Sequence, residues 1–314
     1  MSDEKKPGAS TWVGGVFERG IYAVQTLRIE SIPSNPVSPP KPLLITAPTA
    51  SGEYPLFLFL HGYLLYNSFY SHLLCHLASH GFIVIAPQLY TVAGADCTAE
   101  INSVAAITNW FPTGLPNALT KNLTPDLSKL AISGHSRGAK TAFALALGIS
   151  TTTTLKYSAL LAIDPVDGPA PGQQSTPPVL THEPNSLVTQ MPVLVVGSGL
   201  GHLKKNPLFP PCAPNGVNHA DFFRECQPPA WYFVPSDYGH LDMLDDQTDG
   251  IRGRATYCLC KNGATRQPMR RFVGGVMVAF ARGYLQGHFG DLRALIEDPG
   301  TSPVKLEVAQ FLSQ

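Results

Sequence analysis

The chain has 314 residues, 44% of them hydrophobic and only 14% charged, and its 22 basic side chains are balanced by 22 acidic ones. That balance excludes a nucleic-acid binder held by charge, and no Lys/Arg block of the length that recruits an anionic membrane occurs. No run of 18 apolar residues is present, which excludes a transmembrane helix.

The first ten residues, MSDEKKPGAS, hold no apolar signal core, and their acidic residues and lack of Arg do not fit an ordinary transit peptide. Residues 1–20 are expected to form a poorly ordered tail before a single domain over 21–314. From Val24 onward, short β-rich runs alternate with helical stretches. That order predicts an α/β fold, with a mostly parallel central sheet and helices on both faces. Val24–Ile29 and Leu43–Thr46 read as two early strands. Leu56–Leu60 (LFLFL) is a continuous apolar run, as a strand buried on both faces requires. A helix over Phe69–Ser79 leads through Gly81 into a strand at Phe82–Ala86, and a second helix covers Ile101–Phe111. Leu130–Ser133 reads as a strand and Arg137–Leu147 as a helix. Ala159–Ile163, Val193–Gly197 and Trp231–Val234 are further strands, the third expected to close the sheet. Phe272–Leu285 has apolar residues at helical spacing. Three long Pro- and Gly-rich loops, 165–186, 198–229 and 244–268, follow strands at the end where such sheets bind ligands.

Gly134-His-Ser-Arg-Gly138 fits G-x-S-x-G. An apolar strand ends just before it and an Ala/Leu-rich helix starts just after. A nucleophile at the apex of so sharp a strand-to-helix turn needs small neighbours, because a Cβ at either glycine would clash. Ser136 is therefore the candidate nucleophile. In this architecture the acid and then the base follow it along the chain. Of the five later histidines, His182, His202 and His219 sit in long loops as bystanders, and His288 comes after the last helix. His240, just past the strand Trp231–Val234, is the expected base. For the acid, the loop after Val193–Gly197 offers no carboxylate. Asp164 stands directly at the end of Ala159–Ile163, with Asp167 in reserve. The backbone N–H groups of Arg137 and Tyr63 are the expected oxyanion donors.

Other patterns carry less. His72, His76 and His80 share one helix face but lack a Glu base and a third ligand, so they read as helix surface. Asp242, Asp245 and Asp246 lack the spacing of a cation loop. No GxGxxG or P-loop occurs, and neither cofactor nor metal is expected. The six cysteines read mostly as reduced thiols, with Cys212–Cys226 as the best candidate for a bridge.

With Ser136, Asp164 and His240 placed, the chain resembles the plant chlorophyllases, members of the α/β-hydrolase superfamily. The resemblance rests on Gly134-His-Ser-Arg-Gly138, Ile163-Asp-Pro-Val-Asp-Gly168, Leu60-His-Gly-Tyr63 and Tyr238-Gly-His-Leu-Asp242, and spans about residues 40 to 285. One departure is Ala139, where the family pattern usually has a further glycine. The resemblance implies a serine carboxylic-ester hydrolase that cleaves the phytyl ester of chlorophyll to chlorophyllide and phytol. The alternative is a lipase- or cutinase-like carboxylesterase acting on non-porphyrin esters. It also implies a chloroplast location, set against a cytosolic one by the N-terminus, and is compatible with peripheral contact with pigment-bearing membranes. Leu208, Phe209, Phe222, Phe223 and Trp231 are expected to line a lid over the apolar substrate.

Overall fold

The structure is a computed structural model that describes residues 15–35 and 37–313. Its core grows from strands whose alternate side chains enter opposite layers. In the strand Gly52–Leu60, Leu56, Leu58 and Leu60 join one apolar cluster while Phe57 and Phe59 join the other, all of them fully buried. Such a strand must lie inside a sheet covered on both faces. The strands are β1 (Val24–Ile29), β2 (Leu43–Pro48), β3 (Gly52–Leu60), β4 (Ile83–Pro87) and β5 (Leu123–His135). They continue with β6 (Ala159–Ile163), β7 (Val193–Val196), β8 (Ala230–Pro235) and β9 (Leu306–Leu312). Among the described residues they form one sheet in the order β1-β2-β4-β3-β5-β6-β7-β8-β9. β4, β3, β5, β6, β7 and β8 are mutually parallel, and antiparallel pairs close both edges.

Helices α2 (Thr98–Ala118), α3 (Arg137–Ala146) and α4 (His219–Glu225) pack in one apolar layer. Helices α1 (Ser71–Ser79), α6 (Gln267–Gln286) and α7 (Gly290–Glu297) pack in the other. A short α5 (Gly250–Ala255) lies in the loop after β8. This is the expected mostly parallel α/β sheet, consistent with an α/β-hydrolase fold.

The structure departs from the sequence reading in identifiable places. β8 does not close the sheet, because β9 pairs outside it and stacks Phe311 on Trp231 with ring centroids 4.0 Å apart. β9 is a half-exposed edge and lacks the apolar run that marks an inner strand. α2 continues through Pro112 and Pro116, since buried Ile107, Phe111 and Leu115 keep the apolar stripe going beyond the first proline. α4, α5 and α7 are short elements inside segments that read as loop or tail. Cys212 pairs with Cys260, not with Cys226, and the bond ties the loop after β7 to the loop after β8. Cys226 is a buried free thiol. Of the tail expected over 1–20, residues 1–14 lie outside the described residues. Within 16–20, Val16 is buried, Phe17 stacks on Phe272 and the Gly20 N–H bonds Ser79 Oγ, while Glu18 and Arg19 are exposed. That segment also covers the histidine face of α1. His76 Nε2 donates to the Val16 carbonyl, and His80 bonds both the Glu18 carbonyl and Arg282. Only His72 of the three is the surface residue expected.

Candidate active site

Sheet register assembles the site. His135, the last residue of β5, lies opposite Ile163, the last of β6, and Ile163 lies opposite Val196 of β7. Ser136 and Asp164 therefore leave neighbouring parallel strands at the same level, at the carboxyl edge of the sheet. β8 runs two residues further and then delivers His240 over the same edge.

Ser136 has φ 56° and ψ −123°, a left-handed conformation that costs an L-residue energy and is held by its surroundings. Its N–H donates to the Ile163 carbonyl at 2.9 Å. The flanking glycines are sterically required. A Cβ on Gly134 would sit 2.6 Å from the Gly138 carbonyl oxygen, and one on Gly138 would meet the Leu60 and His61 carbonyls. Ala139 is fully buried in the first turn of α3, where its methyl is accommodated.

His240 Nε2 accepts from Ser136 Oγ at 2.9 Å, and its Nδ1–H donates to Asp164 Oδ2 at 2.7 Å. Ser198 Oγ donates to that same carboxylate oxygen. Burial works against ionising Asp164, but the bonds from His240 and Ser198 and the positive ends of His240 and His219 outweigh it. They hold its carboxyl below the usual range. The reserve acid lies elsewhere. Asp167 is fully buried against Lys140, 2.8 Å away, and accepts the Val179 and Leu180 N–H groups through Oδ2. Lys140 also holds the Ser175 hydroxyl and carbonyl. Asp167 therefore ties the loop after β6 to α3, and makes no bond to His240.

Arg137 opens α3, so its N–H has no preceding turn to bond. Gly62 lies against the elbow, and a Cβ there would fall 2.9 Å from His135 Nδ1 and 3.3 Å from Ser136 Cβ. Tyr63 follows Gly62 directly in the chain.

Several residues around this set escaped the sequence reading. His135 Nε2 lies 2.9 Å from the His240 carbonyl, which can only accept, so Nε2 carries the proton and Nδ1 is the acceptor. Tyr70 then donates its hydroxyl to His135 Nδ1 at 2.7 Å while accepting the Gly62 N–H at 3.0 Å. Desolvation lowers His135 to about 3, so it stays neutral. His219 is not a loop bystander. It begins α4, bonds the Tyr232 hydroxyl through Nδ1 at 2.7 Å, and places Nε2 3.9 Å from Asp164 Oδ1. The Arg137 side chain bonds buried Glu100 and the Gly94 and Asp96 carbonyls, with its guanidinium 5.3 Å from the centre of the Tyr63 ring. Asp242 Oδ2 accepts the Gly239 and Gly263 N–H groups, each at 2.7 Å, and so braces the turn carrying His240.

The five apolar residues expected in a lid do not form one wall. Phe222 is fully buried against Phe143, Phe223 stacks on Tyr232, and Trp231 stacks on Phe311 near the start of β8, away from the carboxyl edge. Leu208 and Phe209 are open to solvent. Among the described residues no group of His, Cys, Asp and Glu is arranged to hold a metal ion, and no helix is long and apolar enough to cross a membrane.

Comparison with known proteins decides the family. A chlorophyllase family model matches residues 12–313. The chain belongs to the chlorophyllase family. It is 55% identical to Chlorophyllase-2 of Arabidopsis thaliana, over 94% of this chain and 96% of that protein. It is 41% identical to Arabidopsis Chlorophyllase-1, over 95% and 93% of the two chains, and 41% identical to a chloroplastic Chlorophyllase-1 of Citrus sinensis, over 95% and 88%. The match extends well beyond the span of about 40 to 285 from which the resemblance was read, so both β1 and β9 fall within the family's chlorophyllase unit.

Proposed function

We propose that this chlorophyllase-family chain is a carboxylic-ester hydrolase that cleaves the phytyl ester of chlorophyll, with Ser136 as nucleophile, His240 as base and Asp164 as its orienting acid. The observation that carries the residue assignment is the continuous Ser136–His240–Asp164 hydrogen-bond chain at the sheet edge. The substrate is carried by family membership. His240 Nε2 takes the Ser136 proton as Oγ attacks the ester carbonyl, and the N–H groups of Tyr63 and Arg137 receive the oxyanion. Collapse expels phytol, which takes the proton back from His240. Water, deprotonated by the same base, then releases chlorophyllide from Ser136. Asp164 keeps the imidazole in the tautomer whose Nε2 is free to accept, and it stabilises the imidazolium between the two transfers.

One sheet from β1 to β9 supports reading 21–314 as a single catalytic domain. The chloroplastic name of the Citrus relative supports a plastid site of action. Detergent-solubilised chlorophyll a, incubated with the wild type and with Ser136→Ala, tests the proposal. Chlorophyllide should form only with the wild type, while the two proteins melt at the same temperature. Near-normal turnover by Ser136→Ala would refute the nucleophile. Turnover of aryl esters but not of chlorophyll would favour the lipase- or cutinase-like alternative.

A further inference from the structure

The loop after β7 and the distal half of the loop after β8 are basic, while the near half of the latter holds Asp237, Asp242, Asp245, Asp246 and Asp249. Residues 198–220 and 250–290 contain no Asp or Glu, although acidic and basic residues balance overall. Lys204, Lys205, Arg254 and Lys261 are all exposed there. Among them stand large apolar side chains open to solvent: Leu208 at 89% exposure and Ile251 at 83%, with Leu203, Phe209 and Leu259 partly exposed beside them. Neither loop has a basic run long enough to signal a membrane by itself, but the fold joins the two. Lys204 and Cys260 are bridged in antiparallel register, and the Cys212–Cys260 disulfide locks the pair. This joined surface also borders the candidate site. The Leu200 N–H donates to the Tyr238 carbonyl at 2.9 Å, and the Gly239 backbone lies against the Lys261 carbonyl, so both loops touch the segment leading to His240.

Exposed apolar tips interleaved with cations match the boundary layer of a bilayer, where the tips enter the acyl region and the cations meet anionic headgroups. We propose that the Leu203–Phe209 and Ile251–Lys261 loops dock the protein on an anionic lipid surface, with the mouth of the site turned toward the membrane. The inference rests on chlorophyll being the substrate. Its phytyl tail and the released phytol both partition into lipid, so a mouth facing the bilayer takes in substrate and returns alcohol without passing either through water.

Sedimentation of the full-length protein with two vesicle types tests this: phosphatidylcholine alone, and an equimolar mixture with phosphatidylglycerol. The wild type should bind the anionic vesicles far more tightly, and added salt should weaken that binding. Lys204→Ala/Lys205→Ala should lose about 30-fold in affinity, from about 1 kcal/mol per basic residue near the surface. Ile251→Asp should lose about tenfold, as an exposed anchor turned acidic. Both variants should keep wild-type rates on a water-soluble aryl ester and on chlorophyll in detergent. Equal binding of the wild type to both vesicles, no binding to either, or unchanged affinity in the lysine variant would overturn the proposal. Absence of binding would leave the face to a protein partner. If detergent-held chlorophyll is not cleaved by the wild type while vesicle binding follows the lysines, the substrate assignment fails and the docking surface stands.

Discussion

Two buried aspartates three residues apart, Asp164 and Asp167, can be told apart in role by paired substitution. Asp164→Asn keeps the size of the side chain but removes the charge that accepts the His240 Nδ1–H at 2.7 Å. The imidazole then settles in the wrong tautomer, and turnover should fall about 10⁴-fold, or about 5.4 kcal/mol on the barrier. Folding should change much less, because Ser198 can still bond the side-chain oxygen. Asp167→Asn should do the opposite. It leaves the fully buried Lys140 ammonium without its counter-charge, 2.8 Å away in the wild type. Breaking one half of such a pair costs about 3–5 kcal/mol of stability. In a domain of this size that lowers the melting temperature by about 6–10 °C. The folded fraction should retain its turnover within several-fold, and Lys140→Met/Asp167→Asn should recover a large part of the lost stability. Circular-dichroism melts and kcat on a soluble aryl ester, measured on the same samples, separate the two effects. A 10⁴-fold loss in Asp167→Asn with an unchanged melting temperature, beside an active Asp164→Asn, would refute both role assignments.

Gly138→Ala should abolish activity and lower soluble yield, since its methyl must displace backbone carbonyls of Leu60 and His61 that cannot rotate away. Activity within tenfold of wild type would show that the elbow has slack. Tyr70→Phe leaves the Gly62 N–H and His135 Nδ1 without their shared partner in a dry site, costing about 1–3 kcal/mol of stability. Its kcat should fall about tenfold with KM little changed, measured by steady-state kinetics, and a change confined to KM would argue against a positioning role. Stability should also drop on acidification well above the carboxylate range. Desolvation lowers His61 to about 4 and His135 to about 3, so below pH 6.5 the unfolded chain binds protons that the folded one refuses. Stability from these groups is complete above pH 6.5 and declines as pH falls toward those folded values. By pH 5 each histidine should have cost about 2 kcal/mol. Urea unfolding at pH 7 and pH 5 measures this, and a flat profile would contradict the buried, neutral assignment.

The sequence made legible whatever was local or fixed by chain order. LFLFL announced β3 because alternate residues enter two cores. GHSRG announced the elbow because only glycines clear the carbonyls around it. His240 stood out in the sequence because it lies in a short loop just after Trp231–Val234, and that strand does end at the carboxyl edge although β9 pairs outside it. Contacts made across the chain left no such mark. Nothing near Asp164 in sequence points to Ser198 or His219, which are 34 and 55 positions away and reach it only through the parallel register of β6 and β7. The Cys212–Cys260 pairing is of the same kind, because the loops it joins are separated by all of β8.

The two variable positions of the elbow hold side chains that reach well beyond it. The glycines and the serine specify only a turn that exposes a hydroxyl. The histidine in the first variable position bonds the His240 carbonyl on one side and, through Tyr70, the Gly62 N–H on the other. One ring thereby fixes the spacing between the turn carrying His240 and the loop carrying Gly62. The arginine in the second variable position reaches away from the nucleophile to Glu100, Gly94 and Asp96, and lies near the Tyr63 ring. It sets the position of the loop after β4 at the rim of the site. Replacing either residue would leave the elbow geometry intact while loosening its surroundings. The five-residue elbow is thus held by distant partners that its two variable side chains find across the chain.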